Sequence, residues 1–348
     1  MAIGSSLAMA AEVKVEWLDT VHNFGAFDEN DGNVTCEFRF VNVGDEPVMV
    51  KAVRTSCGCT TSKPGNKLIQ PGDTSTVSAT YNPTGRPGKF DKKIYVDMNT
   101  NPARSTLKIC GTVIGNSNTL RGRFPIEAGP IRLRRDNTSF GEVIKGRVKN
   151  EFFEIYNASM DTLTPEWSGL PPYIRAVTKN PSIAPGENLT YALVFDGASG
   201  KLDYGLITEN IYFRPEEDAD PVKVEIVANV VEDFSRMTPK ELRSAPSIAV
   251  DSRTVDFGSF PREGVTSRQF KITNRGDNTM IIRRVYSAEP GVTVSVDKNK
   301  VKKGKDAVVT VSVDPSQLPA EVLDARVSII VNDPANPTTI VRAVGFPE

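Results

Sequence analysis

The chain contains three copies of one sequence pattern, and this repetition limits the folds open to it. Each copy opens with a Phe-Gly pair, and the three glycines are Gly25, Gly141 and Gly258. Their residue numbers differ by 116 and by 117. A unit of about 100 residues is the ordinary size of a small β-sandwich. The sequence therefore predicts three units of one fold within its 348 residues.

An alternating segment that ends in asparagine follows each Phe-Gly pair. The three segments are residues 38–42, 153–157 and 270–274. In each segment the residues two and four places before the asparagine are large and apolar, and the residue between them is charged. Alternation with period two is typical of a strand that buries one face. Each repeat is thus expected to place this strand over a hydrophobic core.

Turns repeat in the same order as the strands. Glycine-centred turns at 71–73, 185–187 and 303–305 precede predicted strands at 76–81, 189–195 and 307–313. Two further strands close each repeat, for example 325–331 and 338–344. About seven short strands per repeat, separated by turns, are typical of an immunoglobulin-like sandwich. The predicted fold is all-β, with three tandem immunoglobulin-like β-sandwich domains.

The repeats define the predicted domain boundaries. The domains are 13–115, 129–233 and 246–348, joined by linkers at 116–128 and 234–245. In the second linker Thr238 stands three residues before Glu241, and Pro239 occupies the first helical position. This capping-box arrangement predicts a short helix before the third domain.

Composition disfavours several classes of partner and chemistry. The net charge is −1 and no long run of like charges occurs, so binding to nucleic acid is not expected. No segment approaches the ~20 apolar residues of a membrane-spanning helix. The chain has one histidine and no nucleophile or phosphate-binding motif, so it is not expected to be an enzyme. A protein partner is the remaining expectation, with the oligomeric state open.

The amino terminus resembles the end of an export signal. Ala8, Met9 and Ala10 form a small-x-small site of the kind cut by signal peptidase. The charged part and most of the apolar part of such a signal are missing, so we expect either a signal that starts upstream or a short leader. An ordinary flexible terminus is the alternative interpretation. We expect a periplasmic, extracellular or cell-surface location.

The first repeat resembles a known bacterial family over roughly 90 residues. The resemblance lies in residues 22–25, 55–61 and 81–90. The family is the envelope group named domain of unknown function fifteen seventy-three. The third repeat is similar, more loosely, to the wider superfamily that includes major sperm protein and the periplasmic pilus chaperones. The resemblance implies a sandwich fold and an exported location, and it implies no activity.

The Cys57-Gly58-Cys59 segment is the candidate site for chemistry. It follows a strand predicted at 48–53, and a single glycine lets the two sulfurs approach. The pair could be a structural disulfide or buried thiols, a reducible redox disulfide, or two ligands of a soft metal such as Cu(I) or zinc. Two thiolates fill only half of a tetrahedral zinc site. No other cofactor is predicted.

The remaining two cysteines, Cys36 and Cys110, are candidates for a second disulfide in an oxidising compartment. Alignment on the repeated glycine places Cys110 at the position of Ala228 and Val344, where a packed side chain is expected. Two small buried hydrophobic residues are the alternative.

These observations favour a non-enzymatic, exported scaffold or adhesion-type protein that binds other proteins through loops or sheet edges. A metal-binding or thiol-redox protein that uses Cys57 and Cys59 is the first alternative. A periplasmic, chaperone-like protein that binds a partner's strand is the second.

Overall fold

The computed structural model describes residues 12–200, 202–319 and 322–348. The predicted cleavage site at 8–10 lies outside these residues. Within them the chain is all-β, with only two short α-helices and two short 3-10 helices. Each repeat contributes nine strands that form two sheets.

The first repeat forms one sheet of four strands and one of five. Its strands are β1 (Val15–Trp17), β2 (Val21–Asp28), β3 (Val34–Asn42), β4 (Val48–Thr55), β5 (Thr60–Pro64), β6 (Leu68–Ile69), β7 (Thr74–Tyr81), β8 (Gly88–Met98) and β9 (Arg104–Ile114). The sheets have the orders β1-β3-β7-β5 and β2-β9-β8-β4-β6. A 3-10 helix at Glu29–Asp31 follows β2.

The second repeat is preceded by the helix α1 (Ser117–Leu120). Its strands are β10 (Ile126–Ala128), β11 (Ile131–Leu133), β12 (Asn137–Ile144), β13 (Val148–Asn157), β14 (Glu166–Ser168), β15 (Ile174–Val177), β16 (Asn188–Asp196), β17 (Gly205–Arg214) and β18 (Val222–Val231). The sheets have the orders β10-β11-β13-β16-β15 and β12-β18-β17-β14. The segment 116–128 therefore contains both α1 and β10.

The third repeat is preceded by the helix α2 (Pro239–Arg243). Its strands are β19 (Ile248–Val250), β20 (Thr254–Phe260), β21 (Thr266–Asn274), β22 (Met280–Ser287), β23 (Val292–Val296), β24 (Lys300–Val301), β25 (Asp306–Val313), β26 (Leu323–Val331) and β27 (Thr338–Pro347). The sheets have the orders β19-β21-β25-β23 and β20-β27-β26-β22-β24. A 3-10 helix at Pro315–Gln317 follows β25.

Each pair of sheets encloses its own hydrophobic cluster. The predicted alternation sets which side chains enter it: on β3, Phe38 and Phe40 are buried while Arg39 is exposed. The sequence pattern predicts about seven strands per repeat, whereas the structure has nine. The additional strands, such as β6 and β24, have two or three residues. A segment that short cannot display alternation.

The repeated asparagine is a fully buried node in every repeat. Asn42, Asn157 and Asn274 are each 0% exposed. The side-chain amide of Asn157 donates to the carbonyls of Asp161 at 2.6 Å and Ile183 at 2.9 Å, and its oxygen accepts from the N–H of Ser159 at 2.9 Å. Asn42 and Asn274 make the equivalent three bonds.

The backbone of the same asparagine holds the glycine-centred turn. In the second repeat, the N–H of Gly186 donates to the carbonyl of Asn157 at 2.9 Å, and the N–H of Asn157 donates to the carbonyl of Glu187 at 3.0 Å. The other repeats have the same two bonds. One residue thus joins the end of a strand to two turns and to the strand or bridge that follows.

The Phe-Gly pair forms a break in the parallel pairing of two strands. Gly25, Gly141 and Gly258 have φ between 58° and 72°, and each lies at a register shift of the first long strand. Such φ values favour glycine. In each case the glycine N–H donates a hydrogen bond to the side-chain oxygen of the residue two positions earlier. The bulge lets the phenylalanine point into the core while the strand continues along its partner.

A buried carboxylate holds the junction between the first and second repeats. Glu29 is 5% exposed and accepts hydrogen bonds from the N–H of Gly85 at 2.6 Å, the N–H of Asn116 at 3.1 Å and the hydroxyl of Thr119 at 2.9 Å. Burial raises the pKa of Glu29, but these hydrogen bonds outweigh burial and hold the pKa below its usual value. Across the junction, the N–H of Gly115 donates to the Tyr156 hydroxyl at 2.8 Å.

Arginine and tyrosine side chains hold the junction between the second and third repeats. The Leu206 N–H donates to the Tyr286 hydroxyl at 2.9 Å, and Arg284 donates to the Tyr204 carbonyl at 2.9 Å. Gly205 has φ +91°, and a Cβ at this position would lie 2.5 Å from Cδ1 of Ile330 in the third repeat. A larger residue at this position would have to displace the Ile330 and Tyr286 side chains and would be strained at this φ.

The buried asparagine of the second repeat should contribute measurably to stability. Replacing Asn157 with Asp removes both donated hydrogen bonds and faces a negative charge toward two carbonyl oxygens. We expect the second repeat to lose about 3 kcal/mol or more of stability at neutral pH. Hydrogen-exchange mass spectrometry of β13 and β16 measures this loss.

Asn150→Asp is the matched control, because Asn150 is exposed on the same strand. Carbonyl neighbours raise the pKa of an Asp at position 157 in the folded state, so stability should recover as the pH falls and that carboxyl is protonated. Equal exchange in the two variants would contradict the structural role of the node.

Candidate functional site

The Cys57-Gly58-Cys59 loop lies where the chain passes from one sheet of the first repeat to the other. It follows β4 of the five-stranded sheet and precedes β5, the edge of the four-stranded sheet. The Sγ atoms of Cys57 and Cys59 are bonded to each other. Both cysteines are half-buried and Gly58 is exposed. The structure therefore contains an oxidised pair at the rim of the sandwich.

The loop is anchored to both sheets. On the β4 side, the N–H of Ser56 donates to the carbonyl of Lys93 at 2.9 Å, and the Lys93 N–H donates to the Ser56 hydroxyl at 3.0 Å. On the β5 side, the N–H of Asn82 donates to the carbonyl of Cys59 at 2.9 Å. Cys59 also packs against the hydrophobic cluster of this repeat. These contacts fix both ends of the disulfide loop on the sandwich.

Thr60 is a site residue that the sequence interpretation missed. It is 3% exposed, and its hydroxyl lies 3.4 Å from the Sγ of Cys57 and 3.9 Å from the Sγ of Cys59. The neighbouring Thr55 hydroxyl donates to the carbonyls of Cys57 and Thr60, both at 2.9 Å. The threonines on either side of the Cys-Gly-Cys segment were the available signal. The hydroxyl of Thr60 is placed to donate to a thiolate.

The described residues offer no group that would complete a metal site around these sulfurs. Among residues 12–200, 202–319 and 322–348, no cluster of three or more His, Cys, Asp or Glu side chains is arranged to hold a metal ion. His22 lies on β2, three strand spacings or about 14 Å from β4. Bonded sulfurs are also not thiolates, which are the metal-binding form.

Arg54 is an exposed residue of β4, three positions before Cys57. It lies opposite Tyr95 on the outer face of its sheet. There its charge helps to lower the pKa of Asp97, after the larger effect of the Arg104 hydrogen bond. The charge of Arg54 therefore acts on a carboxylate of the same sheet.

The candidate pair Cys36 and Cys110 is not joined, and both cysteines are free. Cys36 faces the core, where burial raises its pKa to about 11. Cys110 lies on the opposite sheet and faces outward, because Leu107 and Ile109 fix the inward parity of β9. Its Sγ is 3.7 Å from the carbonyl of His22. A disulfide would require Cys110 to face the other way.

The packed environment expected for Cys110 was wrong because the alignment with Ala228 was displaced by one residue. Cys110 pairs with Asn23, two residues before Gly25. The residue paired two places before Gly141 is Val227. Cys110 therefore corresponds to Val227, and the inward-facing Ala228 corresponds to Gly111.

The two tryptophans are packing residues. Trp17 lies against Phe40, with ring centroids 4.7 Å apart. Trp167 packs edge-on against Phe153, with centroids 5.1 Å apart, and contacts Tyr191 and Phe213. The rings pack within the sandwiches.

No helix in the described part of the chain has the length and apolar character needed to cross a membrane.

Three solved structures illustrate what the chain is similar to. A protein of unknown function from Porphyromonas gingivalis W83 shares 18% identity, with TM-score 0.48, 63% of this chain covered and 100% of that chain. The ASH/PapD-like domain 7 of human CEP192 shares 15% identity with a TM-score of 0.27, and the match covers 33% of this chain and 98% of that chain. An endo-fucoidan hydrolase of glycoside hydrolase family 107 shares 9% identity with a TM-score of 0.29, and the match covers 97% of this chain and 44% of that chain. No curated protein matches the chain.

A family model matches two of the three repeats. It covers residues 15–113 and 248–344, which together are more than half of the chain. The predicted resemblance of the first repeat is confirmed, and the third repeat matches the same model although it has no cysteine. On this match, the chain belongs to the family described as Protein of unknown function (DUF1573).

Proposed function

We propose that this chain is a non-enzymatic, exported scaffold that binds other proteins through loops and sheet edges. In this proposal the repeats are three immunoglobulin-like domains, with a short helical linker at 234–245. The observation that carries it is the pair of junctions. Hydrogen bonds to the Tyr156 and Tyr286 hydroxyls hold neighbouring repeats together. A chain that only needed spacing would not require such contacts.

Sheet edges supply a means of binding. The edge strand β23 has the sequence Val-Thr-Val-Ser-Val, without charge or proline. An edge of this kind can accept a strand from a partner. The equivalent edge β5 contains Lys63 and Pro64, which discourage pairing. The third repeat is therefore the better candidate for strand addition.

The oxidised pair Cys57–Cys59 supports export. Disulfides persist in oxidising compartments and are rare where the thiol pool is reducing. The small-x-small site at 8–10 and the family resemblance favour the same location.

The scaffold proposal predicts that loosening one junction disrupts the arrangement of the whole chain. In Gly205→Ala, the added Cβ would press on Ile330 and Tyr286, and the positive φ would be strained. We expect small-angle X-ray scattering to show a broader distribution of overall dimensions than for the unmodified protein. In a pull-down from envelope extract, Gly205→Ala should also recover less of any protein that contacts two repeats than the unmodified chain does.

Gly264→Ala is the matched control. Gly264 also has positive φ, at +78°, but a Cβ there meets no atom within 4 Å. This variant carries the backbone strain without the contact, so its scattering should match that of the unmodified protein. A broad distribution in the unmodified protein, or turnover in an activity screen, would contradict the proposal.

Thiol–disulfide exchange at Cys57 and Cys59 is a second candidate function, favoured by the Thr60 hydroxyl beside the sulfurs. An external thiolate would attack one sulfur, form a mixed disulfide and release the other cysteine as a thiolate. A second external thiol would then resolve the mixed disulfide. The products are one external disulfide and the Cys57–Cys59 dithiol. Thr60 would donate a hydrogen bond to the Cys57 thiolate as it leaves.

This candidate predicts a specific effect of Thr60→Val. Loss of a hydrogen bond to a charged sulfur should slow reduction of the pair by dithiothreitol about tenfold or more. Thr60→Ser should restore the rate, because it keeps the hydroxyl. Thr61→Val, at the exposed neighbour on β5, is the control. Equal rates in all four proteins would remove Thr60 from the chemistry.

A further inference from the structure

The outer face of the third repeat carries two arginines directly opposite each other. Arg326 on β26 pairs in register with Arg342 on β27. The backbone carbonyl of a third arginine, Arg253, accepts a hydrogen bond from the backbone N–H of Arg342 at 2.9 Å. All three side chains are exposed. Like charges opposite one another destabilise a sheet, so this arrangement is not explained by folding.

A single carboxylate partly balances the three arginines. Asp324 accepts two hydrogen bonds from Arg342, at 2.6 Å and 2.5 Å. The Arg342 hydrogen bond is the main reason that the pKa of Asp324 lies below its usual value, and the charge of Arg326 adds to it. Arg253 and Arg326 make no ion pair within the described part of the chain. The cluster keeps two unneutralised positive charges.

The cross-strand cation pair also occurs in the first repeat, where Thr20 stands in place of Arg253. Alignment through Gly111 and Gly345 places Lys93 and Lys108 at the positions of the two arginines. These lysines also lie directly opposite each other. Lys108 forms an ion pair with Asp91 at 2.6 Å, which matches the pair formed by Arg342.

The second repeat has acidic or neutral residues at these positions. Asn210 and Glu225 form the equivalent cross-strand pair, and Asp136 stands where the third repeat has Arg253. The sandwich therefore does not need cations here. The two repeats with the cross-strand cation pair are also the two that match the family model.

The arginines line one end of a groove. A depression of about 520 Å³ is lined by Arg253, Arg326, Arg342, Asp324 and Ile340. It shares Asp324, Arg326 and Ile340 with a second depression of about 300 Å³. Leu206, Tyr286 and Ala288 also line that depression, together with the polar residues Ser287, Ser328 and Glu289, the second carboxylate of the groove.

The far end of the groove has exposed apolar side chains among polar ones. Ile340 is 48% exposed and Leu206 is 41% exposed. Leu206 belongs to β17 of the second repeat, and its N–H is held by the Tyr286 hydroxyl. The groove thus spans the second junction and depends on that junction for its shape.

We propose that this groove is the docking site for an acidic peptide segment of a partner protein. Carboxylates of the peptide bind Arg253 and Arg326, whose planar guanidinium groups suit carboxylate oxygens. An apolar side chain of the peptide packs on Ile340, Leu206 and Tyr286. The inference rests on the proposed scaffold function and specifies the chemistry of one partner.

The test uses the full chain and a fluorescein-labelled synthetic peptide of alternating glutamate and leucine. Fluorescence anisotropy at low and high salt measures binding. We expect Arg253→Gln with Arg326→Gln to weaken binding about tenfold or more. Binding by the unmodified protein should fall as salt rises, since exposed ion pairs are screened. Ile340→Ser should weaken binding without changing this salt dependence.

Lys300→Gln with Lys302→Gln is the matched control. Both lysines are exposed in the same repeat and lie outside the groove, so this variant also loses two positive charges. It should bind within about twofold of the unmodified protein. A peptide with glutamine in place of glutamate should not bind.

Three outcomes overturn the proposal: equal affinity in the arginine and lysine variants, equal affinity for the glutamine peptide, or tighter binding of a single-stranded oligonucleotide. None of them affects the comparison of Gly205→Ala with Gly264→Ala. Failure of the peptide site is therefore distinguishable from failure of the scaffold.

Discussion

The rest of the fold depends on the buried asparagine at the end of β3, β13 and β21. In the second repeat, Asn157 uses its amide, its side-chain oxygen and both backbone groups at once. A buried amide with every donor and acceptor satisfied fixes one register, because any slip would leave polar groups without partners. The Phe-Gly bulge then sets how the first long strand passes along the last. Together they explain why three divergent sequences reach the same arrangement of sheets.

The three repeats differ where the shared framework does not constrain them. The first repeat has the disulfide loop at the crossing between its sheets, where the third has Glu289 and Pro290 instead. The second repeat has no cysteine and has acidic or neutral residues at the cation positions. It contacts both neighbours, through Tyr156 on one side and Gly205 on the other. In the proposed scaffold, chemistry and recognition therefore belong to the outer repeats, and the middle repeat joins them.

The junctions connect stability to function in the proposed scaffold. Glu29 keeps its charge in a buried setting only because three donors from different segments converge on it. Its depressed pKa means that this contribution to stability is present above the carboxyl's unfolded pKa and is lost as the pH falls through the folded pKa. At the second junction the same contacts that hold the repeats also form one wall of the arginine groove. A change in the angle there would alter both the shape of the chain and the groove.

Sequence alone determined the all-β class, the threefold pattern and the family, because alternation, turn glycines and the Cys-Gly-Cys segment are local signals. It also placed Cys36 on the inward face, since parity along a strand is local. Tertiary structure decided the rest. The placement of the Thr60 hydroxyl beside the sulfurs depends on how two sheets meet, because β4 and β5 hold the two ends of the loop in different sheets. Arg326 and Arg342 are 16 residues apart and become neighbours only through strand pairing. Contacts of this kind arise from register and packing, which no short stretch of sequence specifies.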